Sequence, residues 1–493
     1  MTTVVASPLA DLGQIQGNIL RAFREEHQAF LPISFRSRRA GARTWLAAVA
    51  GRVAGTDDVT PSRGAQRDGD VRRNGAAHRH GDAAPNGSRR ALLNLGLTAT
   101  GLVMLHPEIA GDLVGHAAFW QGPLGNRLDD EGRLTTAPAL LGDVGAGDPE
   151  RWVVGGLGTP VDALLTVAAD DAESLRVAVD REVREAEQAG LEVLPVQWGE
   201  VLRDRQQGHR IEHFGFADGI SQPGIRGFAD SARLRPGTPI IAAGEFILGC
   251  AGERRPPTWT PRPTPAPWMR GGSFQVFRRL KQDVAGWWQR MDRLSEQGGT
   301  PEEAAARALG RHLDGRPLAE LDQAGEINAF SFRGDDDGSR TPNFSHIRKV
   351  NPREDGVFRD RGHKMLRRGI TFGPRLERGA ADDGRERGMF FNAYMASIED
   401  QFEFVQRRWA HDPGFPASML ARYGRGAQRV DGLDPVLGDD PESAGRRLGA
   451  AVVRGIPAAA FGGFVTTTGS VYAFAPSRAA LRRLAGDDHL DGR

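Results

Sequence analysis

The chain has 493 residues, with 64 Lys or Arg against 63 Asp or Glu, which gives a formal net charge of +1. Such a balance creates no overall field to attract nucleic acid or an anionic membrane, so we predict neither as a partner. Cys250 is the only cysteine, which excludes an intrachain disulfide and any zinc or iron–sulfur site built from several cysteines.

The amino-terminal residues 1–13 contain no basic segment followed by an apolar run, and no twin arginine. No apolar run elsewhere approaches the roughly 18 residues needed to cross a bilayer. We therefore predict a protein that is soluble and cytoplasmic, with its oligomeric state left open.

The first part of the chain is predicted to alternate strands and helices. Residues 28–37 predict a strand interrupted by a proline, and the apolar spacing of residues 41–53 predicts an amphipathic helix. Residues 56–90 are rich in Gly, Asp and Arg and almost lack apolar side chains, which indicates a long polar loop insertion. A strand and a helix that begins near Thr98 follow at residues 91–105.

The same mixture continues to the end of the chain. The other predicted elements are, in chain order, strand 159–170, helix 171–189, strand 191–202, strand 272–277, helix 279–297, strand 387–396 and strand 461–475. The predicted fold class is therefore α+β, with two ferredoxin-like units and antiparallel sheets of the dimeric α+β barrel type. We place the first unit at residues 1–210 and the second at residues 211–493.

Residues 213–225, HFGFADGISQPGI, hold a single carboxylate, Asp218, among glycines and apolar residues. Gly215 and Gly219 permit a tight, left-handed turn, and a Pro-Gly pair ends it. Such a turn suggests a carboxylate that is presented to an apolar cavity. The alternative is an ordinary turn in which Asp218 accepts hydrogen bonds from its own backbone.

Residues 342–353, PNFSHIRKVNPR, place one histidine, His346, among apolar and basic neighbours. Neutral imidazole is the commonest metal ligand in proteins, and a single axial histidine suits a haem iron. The alternative is an ordinary, partly buried histidine.

Residues 363–373 contain a tandem pair of arginines, Arg367 and Arg368. If this segment is extended, one guanidinium points inward and the other outward. An inward arginine in apolar surroundings needs an anionic partner, because a buried charge is costly unless it is paired. The alternative is a pair of solvated arginines.

The segment 388–394, GMFFNAY, is predicted to be a strand with Met389 and Phe391 on one face. Taken alone, each of these side chains is explained by core packing. Residues 398–409 follow as a helix with one apolar stripe.

Together, four of these stretches resemble the dye-decolourising peroxidases. They are GFADGISQPGI, SHIRKVNPR, MLRRGITFG and GMFFNAYMASIEDQFEFVQRRW, and the family's hallmark Gly-x-x-Asp-Gly is matched at residues 215–219. The stretches IQGNILRAF, NLGLTATGL and DALLTVAADD extend the resemblance over most of the chain. The size, the polar insertion and the lack of an export signal resemble the larger subgroups of this family.

The resemblance implies a haem-dependent peroxidase that reduces hydrogen peroxide and oxidises dyes, phenolics or other bulky one-electron donors. It implies one haem b per chain, bound in the carboxy-terminal half, with His346 as the axial ligand of the iron. Asp218 takes the place of the distal acid–base residue. Arg367 takes that of the distal arginine, which stabilises charge and contacts the haem, with Arg368 as the alternative.

Met389 and Phe391 match the family's apolar distal positions beside the haem, where the family commonly has Leu and Phe. Met389 is thus a mild departure from the family, and a thioether at this position is open to oxidation.

Several assignments stay open. The axial histidine of a haem usually donates its second N–H to an acceptor, for which Asp431 and Asp434 are the candidates. Bulky donors would pass electrons through aromatic side chains at the surface, although packing is the alternative for each candidate. These candidates are Trp259, Trp268, Trp287, Trp288 and Tyr394. The alternative function is a haem-storage or iron-release protein with little turnover.

Overall fold

The computed structural model describes residues 7–59, 90–254, 261–296, 298–353, 360–416, 432–438, 452–453, 456–457 and 463–486. Most of the predicted polar insertion, residues 60–89, lies outside this part of the chain, as do Trp259 and Asp431. None of the described helices is long and apolar enough to cross a membrane.

Ten of the described strands form one large sheet. In chain order they are β1 His27–Ser34, β2 Leu92–Leu97, β3 Ala163–Ala169, β4 Glu192–Val193, β5 Gln197–Glu200, β6 Ser273–Gln282, β7 Leu366–Arg367, β8 Ile370–Phe372, β9 Gly388–Met395 and β10 Val465–Ala475. The order across the sheet is β7-β9-β6-β10-β2-β3-β1-β4, with β8 paired to β9 and β5 paired to β1. Every pairing in this sheet is antiparallel.

The described α-helices pack around this sheet or lie within the loops that cover it. They are α1 Gly17–Leu20, α2 Arg39–Ala50, α3 Ala99–Leu105, α4 Ala110–Leu113, α5 Ala117–Gln121, α6 Ala137–Leu141, α7 Ala172–Gln188, α8 Val284–Ser295, α9 Pro301–Leu309, α10 His346–Val350 and α11 Arg478–Ala485. Wide-turn helical segments lie at Ile398–Glu403 and Val405–Ala410. The mixture of helices with an antiparallel sheet confirms the predicted α+β class.

Strands β1 to β5 occupy one half of the sheet and β6 to β10 the other. The two halves meet where β10 pairs with β2, through Phe474 and Leu97. Their approach is close at Gly96, where a Cβ atom would lie 2.3 Å from Gln275 Oε1 and 2.8 Å from Ala473 Cβ. This arrangement agrees with two sheet-forming units, while the boundary between residues 210 and 211 stays a prediction.

Several helices begin where the sequence predicts. Thr98 caps α3 by accepting a hydrogen bond from the N–H of Gly101, and Asp171 caps α7 by accepting one from Ser174. Such caps satisfy backbone donors that the first helical turn leaves free. The prediction that a proline interrupts the first strand is wrong: Pro32 pairs with Leu164 inside β1, and its carbonyl accepts the N–H of Leu194.

The predicted helix at 279–297 begins too early. Strand β6 continues to Gln282, and α8 begins at Val284 after Asp283, whose side chain accepts the N–H of Gly286. Leu280 therefore belongs to a strand, where it pairs with Met389 of β9. Through Arg278, Leu280 and Gln282, strand β6 forms one wall of a large cavity.

Candidate active site

The Asp218 turn is a short hairpin. Asp218 N–H donates to the carbonyl of Arg210 at 3.0 Å, and Glu212 N–H donates to the carbonyl of Phe216 at 3.1 Å. Gly215 and Gly219 have φ values of 99° and 75°, which confirms the predicted left-handed turn.

Two buried rings fix this hairpin, because Phe214 stacks on Trp287 at 4.4 Å and Phe216 meets the same indole edge-on at 6.3 Å. Asp218 is exposed and lines a cavity. The turn therefore presents the carboxylate to that cavity, as the sequence suggested.

The tandem arginines separate into two roles. Arg367 lines the cavity, and its backbone N–H donates to Gln222 Oε1 at 3.1 Å while its guanidinium donates to the carbonyl of Ser221. Both contacts tie Arg367 to the loop that follows Asp218. Arg367 reaches solvent through the cavity, but desolvation by the surrounding protein still lowers its pKa, and the negative charge of Asp218 opposes this shift.

Arg368 lies outside this cavity. It is buried, and its guanidinium donates to the carbonyls of Asn18 at 2.9 Å and Ile19 at 2.8 Å. Burial lowers its pKa to about 10. Backbone carbonyls of α1 thus take the place of the anionic partner that the sequence led us to expect for an inward arginine.

His346 is the first residue of α10 and lines the same cavity. Its Nδ1 lies 2.9 Å from Asp434 Oδ2 and 3.1 Å from Asp434 Oδ1. Of the two acceptors left open by the sequence, Asp434 makes this contact, whereas Asp431 lies outside the described residues.

Asp434 is fully buried, and its Oδ1 also accepts the N–H groups of Val436 and Leu437. Burial by itself raises the pKa of this carboxyl, but the His346 ring and these hydrogen bonds outweigh it and hold the pKa below the ordinary value. An ionised Asp434 accepts from Nδ1, which leaves Nε2 of His346 as the nitrogen for a ligand bond.

The cavity has a volume of about 370 Å³ and lies on one face of the second half of the sheet. Strand alternation places Met389 and Phe391 of β9 in its wall, next to Arg278 and Leu280 of β6. The structure thus brings all five predicted site residues to one cavity. These are Asp218, His346, Arg367, Met389 and Phe391. The lining also includes residues 141–144, 146 and 147, which come from the first half of the chain.

Five charged residues of the cavity wall were not recognised from the sequence: Asp143, Glu212, Arg278, Arg311 and Arg353. Arg278 forms a buried ion pair with Asp143. Arg311 and Arg353 each lie over the Phe330 ring, at 5.1 Å and 4.1 Å from its centroid. Nothing in the spacing of these arginines distinguishes them from the many other arginines of the chain.

The residues fit a haem. The cavity volume falls within the range of cofactor sites, about 300–1,000 Å³, and its wall combines apolar side chains with His346. Arg311 donates to the carbonyls of Gly315 and Ile327, and burial together with the charge of Arg353 lowers its pKa to about 9. A buried cation of this kind suits the carboxylates that a haem carries.

The aromatic side chains proposed as surface electron carriers are buried. Trp268, Trp287, Trp288 and Tyr394 are each 5% exposed or less. The prediction of a surface position is wrong for these four, and their packing in the core is the explanation that the sequence left open.

Comparison with known proteins identifies the family of this chain. A family model described as "Dyp-type peroxidase, C-terminal" matches residues 253–423. The dye-decolorizing peroxidase msp1 of Mycetinis scorodonius is 30% identical over 386 residues, which cover 72% of this chain and 71% of that protein. The multifunctional dye peroxidase DyP2 of an Amycolatopsis species is 32% identical over 359 residues, covering 66% of this chain and 71% of that protein.

A solved structure of a dye-decolorizing peroxidase in complex with 2,6-dimethoxyphenol has the same fold. Its TM-score is 0.70 at 24% sequence identity, and the match covers 96% of this chain and 99% of that chain. The fold, the cavity and these relatives define a haem peroxidase, an oxidoreductase. The chain belongs to the dye-decolourising peroxidase family.

Proposed function

We propose that this protein binds one haem b per chain through His346, reduces hydrogen peroxide, and oxidises dyes, phenolics or other bulky one-electron donors. The observation that carries the proposal is a single cavity lined by His346, Asp218 and Arg367. The relatives named as dye peroxidases and the neighbour solved with 2,6-dimethoxyphenol support the choice of reducing substrate.

When bound, the haem supplies the redox chemistry at its iron, and the protein supplies the ligand, the proton transfers and the electrostatic field. His346 is held for the ligand role by Asp434, since the contact at Nδ1 fixes the ring and its tautomer. Met389 and Phe391 provide an apolar wall that keeps bulk water away from the reacting oxygens.

Asp218 is the proposed acid–base residue. Breaking the O–O bond of hydrogen peroxide so that one oxygen leaves as water requires a proton to move from one oxygen to the other. An ionised Asp218 can accept that proton and then return it to the leaving oxygen. Its exposure to the cavity gives it access to peroxide, while the hairpin fixes its position.

Arg367 is proposed to stabilise the negative charge that develops on the leaving oxygen. A guanidinium stays protonated and so cannot serve as the base, but it donates hydrogen bonds in a fixed fork. The contacts with Ser221 and Gln222 hold Arg367 to the Asp218 loop, so both groups serve the same small volume.

The rate of the Soret change on mixing with hydrogen peroxide tests these roles. We expect Asp218→Asn, and separately Arg367→Leu, to slow this change by about 100-fold or more while the haem stays bound. The control is Asp180→Asn, which alters an exposed carboxylate on α7. Either site variant reacting at the wild-type rate would contradict the role given to that residue.

Haem binding and turnover are tested separately. His346→Ala should weaken or abolish haem binding, and an unchanged Soret spectrum would rule out His346 as the ligand. Steady-state dye or phenol oxidation by peroxide then distinguishes the two functions. A stable haem without turnover would favour the storage or iron-release alternative.

A further inference from the structure

A second carboxylate, Glu212, lines the same cavity as Asp218. Its side chain accepts three hydrogen bonds. Oε2 accepts from Phe214 N–H at 2.9 Å and from Gln282 Nε2 at 2.7 Å, and Oε1 accepts from Phe216 N–H at 3.0 Å. All three donors are neutral.

Two of these donors belong to the turn that carries Asp218. Glu212 also bonds this turn through its backbone, because its carbonyl accepts Gly215 N–H at 2.9 Å and its N–H donates to Phe216. Backbone and side chain of Glu212 together therefore close the loop from residue 212 to residue 216. The position of Asp218, which follows directly, depends on this closure.

The surroundings of Glu212 favour retention of a proton near neutral pH. Burial raises its pKa to about 7, its hydrogen bonds oppose the shift, and the nearby charge of Asp218 adds to it. The neighbouring His213 is not the group that changes charge in this range. Burial lowers its pKa to about 4, and its Nε2 lies 2.8 Å from the carbonyl of Phe372.

The charged groups that face the cavity come from several elements. Besides His346 they are Asp143, Asp218, Arg278, Arg311, Arg353 and Arg367. Arg278 pairs with Asp143, and Arg367 contacts the Asp218 loop. Within the described part of the chain, the Glu212 carboxylate accepts hydrogen bonds from two backbone N–H groups and one side-chain amide.

Gln282 can serve both protonation states of Glu212. Its Nε2 donates to the carboxylate, whereas its Oε1 is buried and has no partner among the described residues. Rotation of the Gln282 side-chain amide by half a turn exchanges the positions of Nε2 and Oε1. In the rotated position, Oε1 accepts a hydrogen bond from the O–H of a neutral Glu212 carboxyl. The backbone of Gln282 is fixed meanwhile, since its N–H donates to the carbonyl of Arg387 at 2.8 Å.

We propose that Glu212 is a second carboxyl of the cavity that exchanges a proton, and that it positions the turn bearing Asp218. Gln282 is the hydrogen-bond partner of Glu212 in both protonation states. The inference rests on the proposed role of Asp218. Ionised Glu212 accepts charge-assisted hydrogen bonds from the turn and holds it firmly. Protonation turns one oxygen into a donor and weakens this hold, so the Asp218 turn becomes looser as pH falls.

The test combines infrared spectroscopy with kinetics on the haem-loaded enzyme from about pH 5 to about pH 9. In the wild type we expect a protonated-carboxyl band that is lost as pH rises through about 7. Over the same range, the rate of the Soret change with peroxide should rise by about three- to ten-fold. Glu212→Gln should lack both this band and this step in rate.

Glu399→Gln is the matched control. Burial also raises the pKa of the Glu399 carboxyl, which accepts the N–H of Ala118, but Glu399 does not line the cavity. This variant should keep the step in rate. If Glu212→Gln keeps both the infrared band and the pH-dependent step in rate, the proposal is overturned. If Glu212→Gln loses the infrared band but keeps the step in rate, the positioning role of Glu212 is overturned.

Gln282→Leu gives an independent test if Glu212→Gln does not fold. Loss of a donor to the ionised carboxylate should move the infrared transition to higher pH, and the step in rate should move with it. An unmoved transition would contradict the proposal. Asp218→Asn distinguishes this inference from the proposed function. The rate of the Soret change in this variant tests the role of Asp218 alone, whereas the infrared band of protonated Glu212 should persist.

Discussion

Asp434 is placed to control how firmly the protein holds its haem. Its carboxylate contacts His346 Nδ1 at 2.9 Å, and loss of such a partner typically weakens metal affinity about 10- to 100-fold. We expect Asp434→Asn to release haem to excess apomyoglobin faster than the wild type by a factor in this range. Haem transfer followed at the Soret band provides the measurement.

Asp162→Asn is a matched control for the loss of a buried carboxylate. Asp162 is 7% exposed and accepts the N–H of Phe35 at 2.7 Å, in the half of the chain that lacks His346. This variant should lose stability but retain haem at the wild-type rate. Equal haem loss from both variants would show that general destabilisation, rather than the His346 contact, explains the effect.

At the scale of single residues, the sequence pointed to Asp218, His346 and Arg367 because their motifs resemble those of a known family. It could not separate Arg367 from Arg368 or Asp434 from Asp431, since both choices depend on which side chain is buried and against what. Glu212 was missed for the same reason. Its environment depends on Gln282 and on the turn, which sequence spacing does not show.

At the scale of elements, Gln16 joins the two halves of the sheet. It is fully buried, and its Nε2 donates to the carbonyls of Leu95 in β2 at 2.8 Å and of Pro476, just after β10, at 2.9 Å. Its Oε1 accepts Leu95 N–H at 2.7 Å. One amide thus satisfies three backbone groups at the place where the two halves meet.

Gln16→Leu should therefore destabilise the protein. Each buried backbone group left without a partner costs about 1–3 kcal/mol, so we expect a loss of several kcal/mol in the free energy of unfolding by urea. Gln14→Leu is the matched control, because Gln14 Oε1 is buried without a partner among the described residues. Equal losses in the two variants would exclude a special role for the Gln16 amide.

Local patterns predicted the elements whose boundaries are set locally. Helices α3 and α7 begin at their capping residues, and these caps lie within one turn of the helix they start. The β6–α8 boundary failed because Leu280 fits an apolar helical stripe as well as an alternating strand. Pairing with β9 and β10, which are distant in the sequence, decides in favour of the strand.

At the scale of the whole molecule, acid should weaken the fold through buried histidines. His116 is 5% exposed, its ring lies 4.9 Å from that of Phe274, and its Nε2 has no partner among the described residues. Burial lowers its pKa from 6.5 to about 4. Between these values the unfolded chain binds a proton that the folded chain does not, so stability falls as pH falls.

His116→Phe should remove this part of the acid sensitivity, because phenylalanine fills the site and has no proton to bind. The stability contributed by the neutral histidine is fully present above pH 6.5 and is lost as pH falls towards about 4. The total effect is about 3 kcal/mol. Urea unfolding of both proteins across this pH range provides the measurement. The free energy of unfolding of the variant should rise relative to that of the wild type as pH falls, and parallel pH profiles would contradict the prediction.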